Sequence, residues 1–154
     1  MSFATNIQQI TPSVASCTQT GTIVEDTAAG TPKLTQIGSS GTINTFGAWV
    51  EHDASVSADS WIAIISIIRI SNAKGPGAVL EIGVGASGSE VTKIRLSHKW
   101  MYDTDAGYQS PIIFSLPIPI KVASGVRIAA RIADDGAAVN YYKISISYYQ
   151  GLET

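Results

Sequence analysis

The residues that most often carry out catalysis are sparse in this chain, and no catalytic motif arranges them. There are two histidines, His52 and His98, and one cysteine, Cys17, and no pair of them has the spacing of zinc ligands. Serines are frequent, but residues 85–89 (GASGS) lack the last glycine of the G-x-S-x-G nucleophile elbow. The sequence therefore predicts a protein that is not an enzyme.

Two ligand-binding motifs are present only in part. Residues 83–88 (GVGASG) match the G-x-G-x-x-G dinucleotide fingerprint, which needs a helix directly after it to bind the pyrophosphate. The next residues, 89–95 (SEVTKIR), have the pattern of a strand, so we predict a tight loop with positive φ glycines. Residues 103–107 (DTDAG) begin like a calcium loop but lack its later acidic ligands, and we interpret them as a surface loop. No cofactor and no metal are predicted.

Five cationic side chains occupy alternating positions on two predicted strands. Our first interpretation is that they form ordinary solvated strand faces, which discourage pairing at sheet edges. A second interpretation is contact with an acidic patch of a neighbouring subunit, which residues such as Glu51, Asp53 or Asp59 could supply. The cations are Lys93, Arg95 and Lys99 on one strand, and Arg127 and Arg131 on the other.

Four aromatic residues are candidates for exposed binding positions: Trp49, Tyr108, Tyr141 and Tyr149. Sugar rings stack on such side chains, so a carbohydrate- or receptor-binding module is one hypothesis. Tyr and Trp are also enriched where two subunits meet, which is the competing hypothesis. The sequence does not separate the two.

Composition favours an assembly over a free monomer. The chain has 154 residues, the size of one domain, and only 14% are charged, against about 25% in average globular proteins. Burial against copies of the chain would reduce the uncharged surface, so we expect a homo-oligomer. The net charge of -2, without clustered Lys and Arg, argues against nucleic acid as a partner.

We expect the protein to be made in a cytoplasm and to stay soluble. Residues 1–5 (MSFAT) predict no signal peptide, and the longest apolar run, residues 61–70, is too short to cross a bilayer as a helix. We therefore expect no membrane partner. Cys17 has no second cysteine with which to form an internal disulfide.

The elements that must position these residues are all predicted strands, separated by Gly, Pro, Asn and Asp. Residues 61–70 are apolar on both faces, so we expect a central strand covered on both sides, with residues 78–84 as its hairpin partner. Pro117 and Pro119 cannot donate to a ladder, which makes their strand an edge or a strand that switches sheets. The other predicted strands are residues 46–50, 91–100, 112–120, 126–132 and 142–148.

These patterns predict an antiparallel β-sandwich of the jelly-roll kind in residues 46–154. Residues 1–45 differ, because fifteen of them are Ser or Thr and only three are charged. This segment is too polar for a core of its own, so we interpret it as an arm that adds strands to another surface or as a partly disordered tail.

Across residues 44–149 the sequence resembles small all-β proteins encoded among bacteriophage and prophage structural genes. That resemblance implies a virion component, such as a capsid decoration protein, head fibre or tail protein, and often a trimer. It implies major capsid or tail proteins as partners and carries over no functional residues. The segments that carry it are residues 47–50 (GAWV), 59–61 (DSW), 80–90 (LEIGVGASGSE), 117–120 (PIPI) and 125–131 (GVRIAAR).

Overall fold

The computed structural model describes residues 22–24, 33–70, 77–99 and 111–150. All regular structure in these ranges is strand, and none of them forms a helix that is long and apolar enough to cross a membrane. The predicted surface loop at residues 103–107 lies outside the described residues. The strands are β1 (Thr22–Val24), β2 (Thr35–Gly38), β3 (Val50–Asp53), β4 (Ser60–Arg69), β5 (Gly77–Val84), β6 (Val91–Lys99), β7 (Ile112–Val122), β8 (Ile128–Asp134) and β9 (Tyr141–Gln150).

The strands form two antiparallel sheets that pack face to face. Sheet 1 has the order β2-β9-β4-β7. β1 pairs with the same edge of β9 as β2 does, but nearer the end of β9. Sheet 2 has the order β3-β8-β5-β6. Strands β2 to β9 thus give two four-stranded sheets with long crossings between them, which is the jelly-roll arrangement. The predicted fold class is confirmed.

The core lies between the sheets, where the inward side chains are almost all β-branched or aromatic. In β9 every second residue from Tyr142 to Tyr148 is buried, as its alternating sequence predicts. In β4 the alternation is reset by a bulge at Ala63, after which Ile65 and Ile67 point inward. The facing residues from sheet 2 are Leu80, Ile82, Ile94, Ile128, Ala130 and Ile132.

Two predictions about β4 and its neighbour are wrong. β5 is not a hairpin partner of β4, because the chain crosses to sheet 2 between them and β4 pairs with β7 and β9 instead. β4 is central, as expected, but only its inward side is fully covered. Its outward residues Trp61, Ile64 and Ile68 are half-buried.

The prediction that two prolines mark an edge strand is confirmed, since β7 ends sheet 1. Ser115 pairs with Ile64 and Ile120 with Ile62, so the residues between them, which include both prolines, form a bulge opposite Ala63. This bulge interrupts the alternation of side chains along β7, and within it Ile118 is 75% exposed.

Residues 33–45, which we had assigned to the arm, lie in the body of the sandwich. β2 pairs with β9 along Thr35 to Gly38, and Ile37 is 1% exposed. The prediction failed because this region is polar, and its short strand places only one large apolar side chain, Ile37, in the core. The predicted strand at residues 46–50 begins only at Val50, and residues 46–49 are irregular.

Candidate functional site

Glu81 lies at the centre of the outer face of sheet 2, yet it is fully buried. Its neighbours across the strand ladder are Arg95 of β6 and Arg131 of β8. Arg95 Nε donates to Glu81 Oε1 at 2.7 Å, and Arg131 Nε donates to Oε2 at 2.7 Å. The hydroxyl of Thr92 adds a third bond, to Oε2 at 3.3 Å. Two guanidinium groups therefore clamp one carboxylate, which offsets the cost of burying its charge.

This ionic cluster (Glu81, Arg95 and Arg131) is covered by residues 44–49, which we call the covering segment. The guanidinium carbon of Arg131 lies 4.6 Å from the ring centroid of Phe46 and 4.3 Å from that of Trp49. The Trp49 ring also rests on Gly83, where an added Cβ would lie 2.7 Å from Trp49 Cη2. The glycine thus lets the indole lie directly on the sheet, and the two aromatic rings cover Arg131, while the Arg95 side chain stays 65% exposed.

Backbone contacts hold the covering segment along the edge of sheet 2. The Asn44 amide donates to Asp134 O at 2.7 Å, and the Gly47 amide donates to Ile132 O at 2.9 Å. Gly47 also passes so close to the carbonyl of Gly38 that an added Cβ would overlap the Gly38 oxygen. The segment therefore extends β3 as an irregular edge, and only glycine fits at its closest approach.

The ionic cluster sets the charge state of Glu81. Burial by itself would raise the pKa of the Glu81 carboxyl. The hydrogen bonds from Arg95 and Arg131, together with their charges, outweigh that effect and hold the pKa below its usual value of 4.5. The carboxylate is ionised near neutral pH, and the outer face of sheet 2 therefore contains a charged group that water does not reach.

One of the two predicted cationic strips is used inside the chain. Arg127 donates to Glu51 Oε2 at 2.9 Å and to Glu90 Oε1 at 2.5 Å, and its side chain is only 12% exposed. The Arg131 side chain is 29% exposed, so the interpretation as an ordinary solvated face is wrong for both arginines, because acids of the same chain pair with them. In the other strip Lys93 is exposed, and the Arg95 side chain is 65% exposed although it pairs with Glu81. Lys99 is the last residue of β6.

Beside the ionic cluster, the outer face of sheet 2 opens into a cleft of about 520 Å³. Its floor is formed by Val79, Ser97 and Ala133, which lie opposite one another on three adjacent strands. Their side chains are small, so the floor is shallow and flat. Around this floor stand Asn44, Phe46, Arg95, His98, Asp134 and Asp135, together with Gly77 and Ala78.

A buried hydrogen-bond network supports one side of this cleft. Asp134 Oδ2 accepts from Asn140 Nδ2 and from the Tyr142 hydroxyl, each at 2.9 Å. Asn140 Oδ1 in turn accepts from Arg69 Nη2 at 2.8 Å. Burial and the neighbouring Asp134 carboxylate raise the pKa of the Tyr142 hydroxyl above its usual range. The network fixes Asp134 in place, so this side of the cleft is rigid.

The outer face of sheet 1 has a different composition. At its upper end Tyr149, Trp61 and Lys121 lie side by side on three strands, with Lys121 Nζ 5.2 Å from the Trp61 ring centroid and 2.7 Å from Asp59 Oδ2. The rows below contain serines and isoleucines, including Ile113, which is 65% exposed. The outward positions are Trp61, Ile64, Ser66 and Ile68 of β4, Ile113, Ser115 and Lys121 of β7, and Tyr141, Lys143, Ser145, Ser147 and Tyr149 of β9.

The four predicted aromatic positions do not come together. Tyr141 and Tyr149 share the outer face of sheet 1 but lie at opposite ends of β9, about 26 Å apart at the usual rise of a strand. Trp49 belongs to the covering segment and contacts Arg131. Tyr108 lies outside the described residues. Sequence reasoning missed the partner of Tyr149, Trp61, because an apolar run on both sides of a strand suggests burial.

The two histidines have different surroundings. His52 is 1% exposed, and its Nδ1 lies 2.8 Å from the hydroxyl of the buried Thr35. His98 packs edge-on against Phe114 with ring centroids 6.4 Å apart. Within the described ranges, no group of three His, Cys, Asp or Glu side chains is close enough to hold a metal ion.

The sequence matches no known protein-family model and shows no similarity to a curated protein. What the chain does must therefore be argued from the two outer faces and from the residues that form them.

Proposed function

We propose that this protein is a non-enzymatic structural subunit of a bacteriophage virion that self-associates through the outer face of sheet 1. The observation that carries the proposal is the composition of that face. Its outward positions on the three long strands hold isoleucines, serines and aromatic residues, two lysines and no carboxylate. Another protein can cover such a face at little desolvation cost, because few charged groups lose their water.

Two further points support a place in a virion. The sequence resembles phage structural proteins, and jelly rolls are one of the folds from which capsids are built. That fold also serves unrelated functions, so the resemblance directs the proposal to virions and the exposed face gives it a mechanism. By the same resemblance, the assembly is a trimer.

The N-terminal region supplies the second contact, with another virion protein such as the major capsid or tail protein. β1 adds to the edge of β9 through Thr22 to Val24, which shows that this polar region can pair as a strand. We propose that residues 1–21, which precede β1, bind that partner. Main-chain hydrogen bonds give affinity without a large apolar surface.

Light scattering of the purified protein tests the self-association. We expect a mass of three times 16.2 kDa for the wild type and 16.2 kDa for Ile113→Lys, which places a charge within the proposed interface. Val91→Lys is the matched control, because Val91 is an exposed apolar residue on an edge strand of sheet 2. A monomeric wild type would contradict the self-association, and a trimeric Ile113→Lys variant would place the interface elsewhere.

The virion role is tested on particles. Purified particles of the phage that encodes the chain should contain it in many copies by quantitative mass spectrometry. A variant that lacks residues 1–21 should be lost from the particles while its mass in solution stays that of the wild type. If purified particles contain none of the protein, the virion role is wrong, whatever the oligomeric state.

A further inference from the structure

The cleft on sheet 2 has the size and the rigidity of a small-molecule site. Its volume of about 520 Å³ lies within the range usual for such sites, roughly 300–1,000 Å³. Ser97, Val79 and Ala133 form its floor on three paired strands, and β8 is anchored beside it because the buried side chain of Asp134 bonds Asn140 and Tyr142 on the inner side of the sheet. A ligand would therefore meet a site that needs little ordering on binding.

The charges around the cleft argue against an anionic ligand. Arg95 is the one arginine of the lining, and it shares the buried carboxylate of Glu81 with Arg131. Asp135 adds an exposed carboxylate to the lining, so the carboxylates of Glu81 and Asp135 balance the two guanidinium groups. A phosphate or carboxylate would be repelled by Asp135 and would have to compete with Glu81 for Arg95.

The uncharged groups of the cleft suit a ligand that is apolar on one face and rich in hydroxyls at its rim. Phe46 and Val79 offer apolar surface, while the Ser97 hydroxyl and the Asn44 amide both donate and accept hydrogen bonds. Asp135 can accept from two hydroxyl groups. We propose that this cleft binds a neutral saccharide of two or three rings, with a ring lying on the Val79 floor and its hydroxyls meeting Ser97, Asn44 and Asp135.

This cleft is not the set of exposed aromatic residues that the sequence suggested for carbohydrate binding. Tyr141 and Tyr149 lie on the other sheet, and saccharide binding here does not depend on the outer face of sheet 1. The proposal is therefore independent of the virion role, and either can fail without the other.

The test begins with the full chain on an array of mono- to tetrasaccharides that includes neutral, sialylated and phosphorylated members. We expect binding to neutral members only. The strongest is then titrated by calorimetry against Ser97→Trp, which fills the floor, and against Asp135→Asn. We expect Ser97→Trp to weaken binding by at least about tenfold, and Asp135→Asn by less, since an amide keeps one acceptor.

Ser87→Trp is the matched control, because Ser87 is an exposed serine in the β5–β6 connection of the same sheet, at the end away from the cleft. It should bind within about twofold of the wild type. Thermal unfolding of each variant shows that it is folded before binding is compared. No saccharide bound, binding of acidic members alone, or unchanged binding by folded Ser97→Trp would each overturn the proposal.

Discussion

The two outer faces of this sandwich are built in opposite ways. On sheet 2 the chain buries an ionised carboxylate, Glu81, and covers it with the rings of Phe46 and Trp49. On sheet 1 the outward side chains of β4 and β9 stay half-buried or exposed, although several are apolar. The charges of sheet 2 are thus largely paired within the chain, while the face of sheet 1 has few charges and stays open.

This difference shows how a domain with few charged residues can distribute them. An ion pair that is shielded from water stabilises the fold only where its geometry is complete, so it belongs where the chain itself can complete it. A face for a partner is better made of groups that lose little on desolvation. We therefore expect substitutions on sheet 2 to affect folding, and those on sheet 1 to affect association.

The largest expected effect is that of Glu81→Ala. It leaves Arg131, which the rings of Phe46 and Trp49 cover, without its carboxylate, so we expect the free energy of unfolding to fall by about 3 kcal/mol in urea titrations. Glu51→Ala is the matched control. The Glu51 side chain is 51% exposed, so its removal should lower the free energy of unfolding by less than about 1 kcal/mol. Equal losses of unfolding free energy would mean that the ionic cluster stabilises the fold no more than an exposed ion pair does.

Gly47→Ala should cause the next largest loss of unfolding free energy. Its Cβ would overlap the carbonyl oxygen of Gly38, so the covering segment must move, at a cost of about 2–3 kcal/mol. Gly88→Ala is the comparison, because Gly88 has a φ of +80° but no atom near its added Cβ, and strain alone should cost about 1 kcal/mol. Chemical denaturation of both variants measures the difference. A smaller loss at Gly47 than at Gly88 would show that the covering segment is loosely held.

Lowering the pH should reduce the stability that the ionised Glu81 carboxylate contributes to the fold. The folded pKa of Glu81 lies below its usual value of 4.5, so its stabilising effect is complete above about pH 4.5 and is lost as pH falls through the lower, folded value. We expect Glu81→Gln to be less stable than the wild type at pH 7 by about 1–2 kcal/mol, with the gap narrowing below pH 4.5. Urea midpoints from pH 7 to 3 check this, and a constant gap would exclude the ionised form as the source of the stability.

The smallest effect on folding is expected at Ile118, which is 75% exposed on the β7 bulge. Ile118→Ser should change the free energy of unfolding by less than about 0.5 kcal/mol, since the side chain buries little. Ile67→Ala is the control, because Ile67 is 2% exposed in the same sheet and should cost about 2–4 kcal/mol. A loss above 1 kcal/mol at Ile118 would mean that the bulge packs on its neighbours more closely than its exposure indicates.

Much of the fold could be predicted because local patterns and tertiary contacts agree. The alternation in β9 places Tyr142, Ile144 and Ile146 in the core, and Pro117 and Pro119 mark an edge strand. The glycine loop after β5 also has the predicted positive φ angles, at Gly85 and Gly88.

The candidate sites could not be predicted in the same way. Glu81, Arg95 and Arg131 are far apart in sequence and meet only because β5 lies between β6 and β8. No local signal marks Glu81 as buried, because it is a charged residue at an outward strand position. The cleft beside it likewise depends on which small residues of three strands become neighbours.

By itself, the sequence determined that the chain is all-β, which side of most strands faces inward, and that charge is scarce. These properties follow from residue type and from the two-residue period of a strand, which act locally. Only the tertiary structure decided that β4 and β5 part into different sheets, that aromatic rings cover part of the outer face of sheet 2, and that the outer face of sheet 1 is open. The reason is physical: which strands pair, and what packs over them, depends on contacts between segments distant in sequence, and no local pattern encodes them.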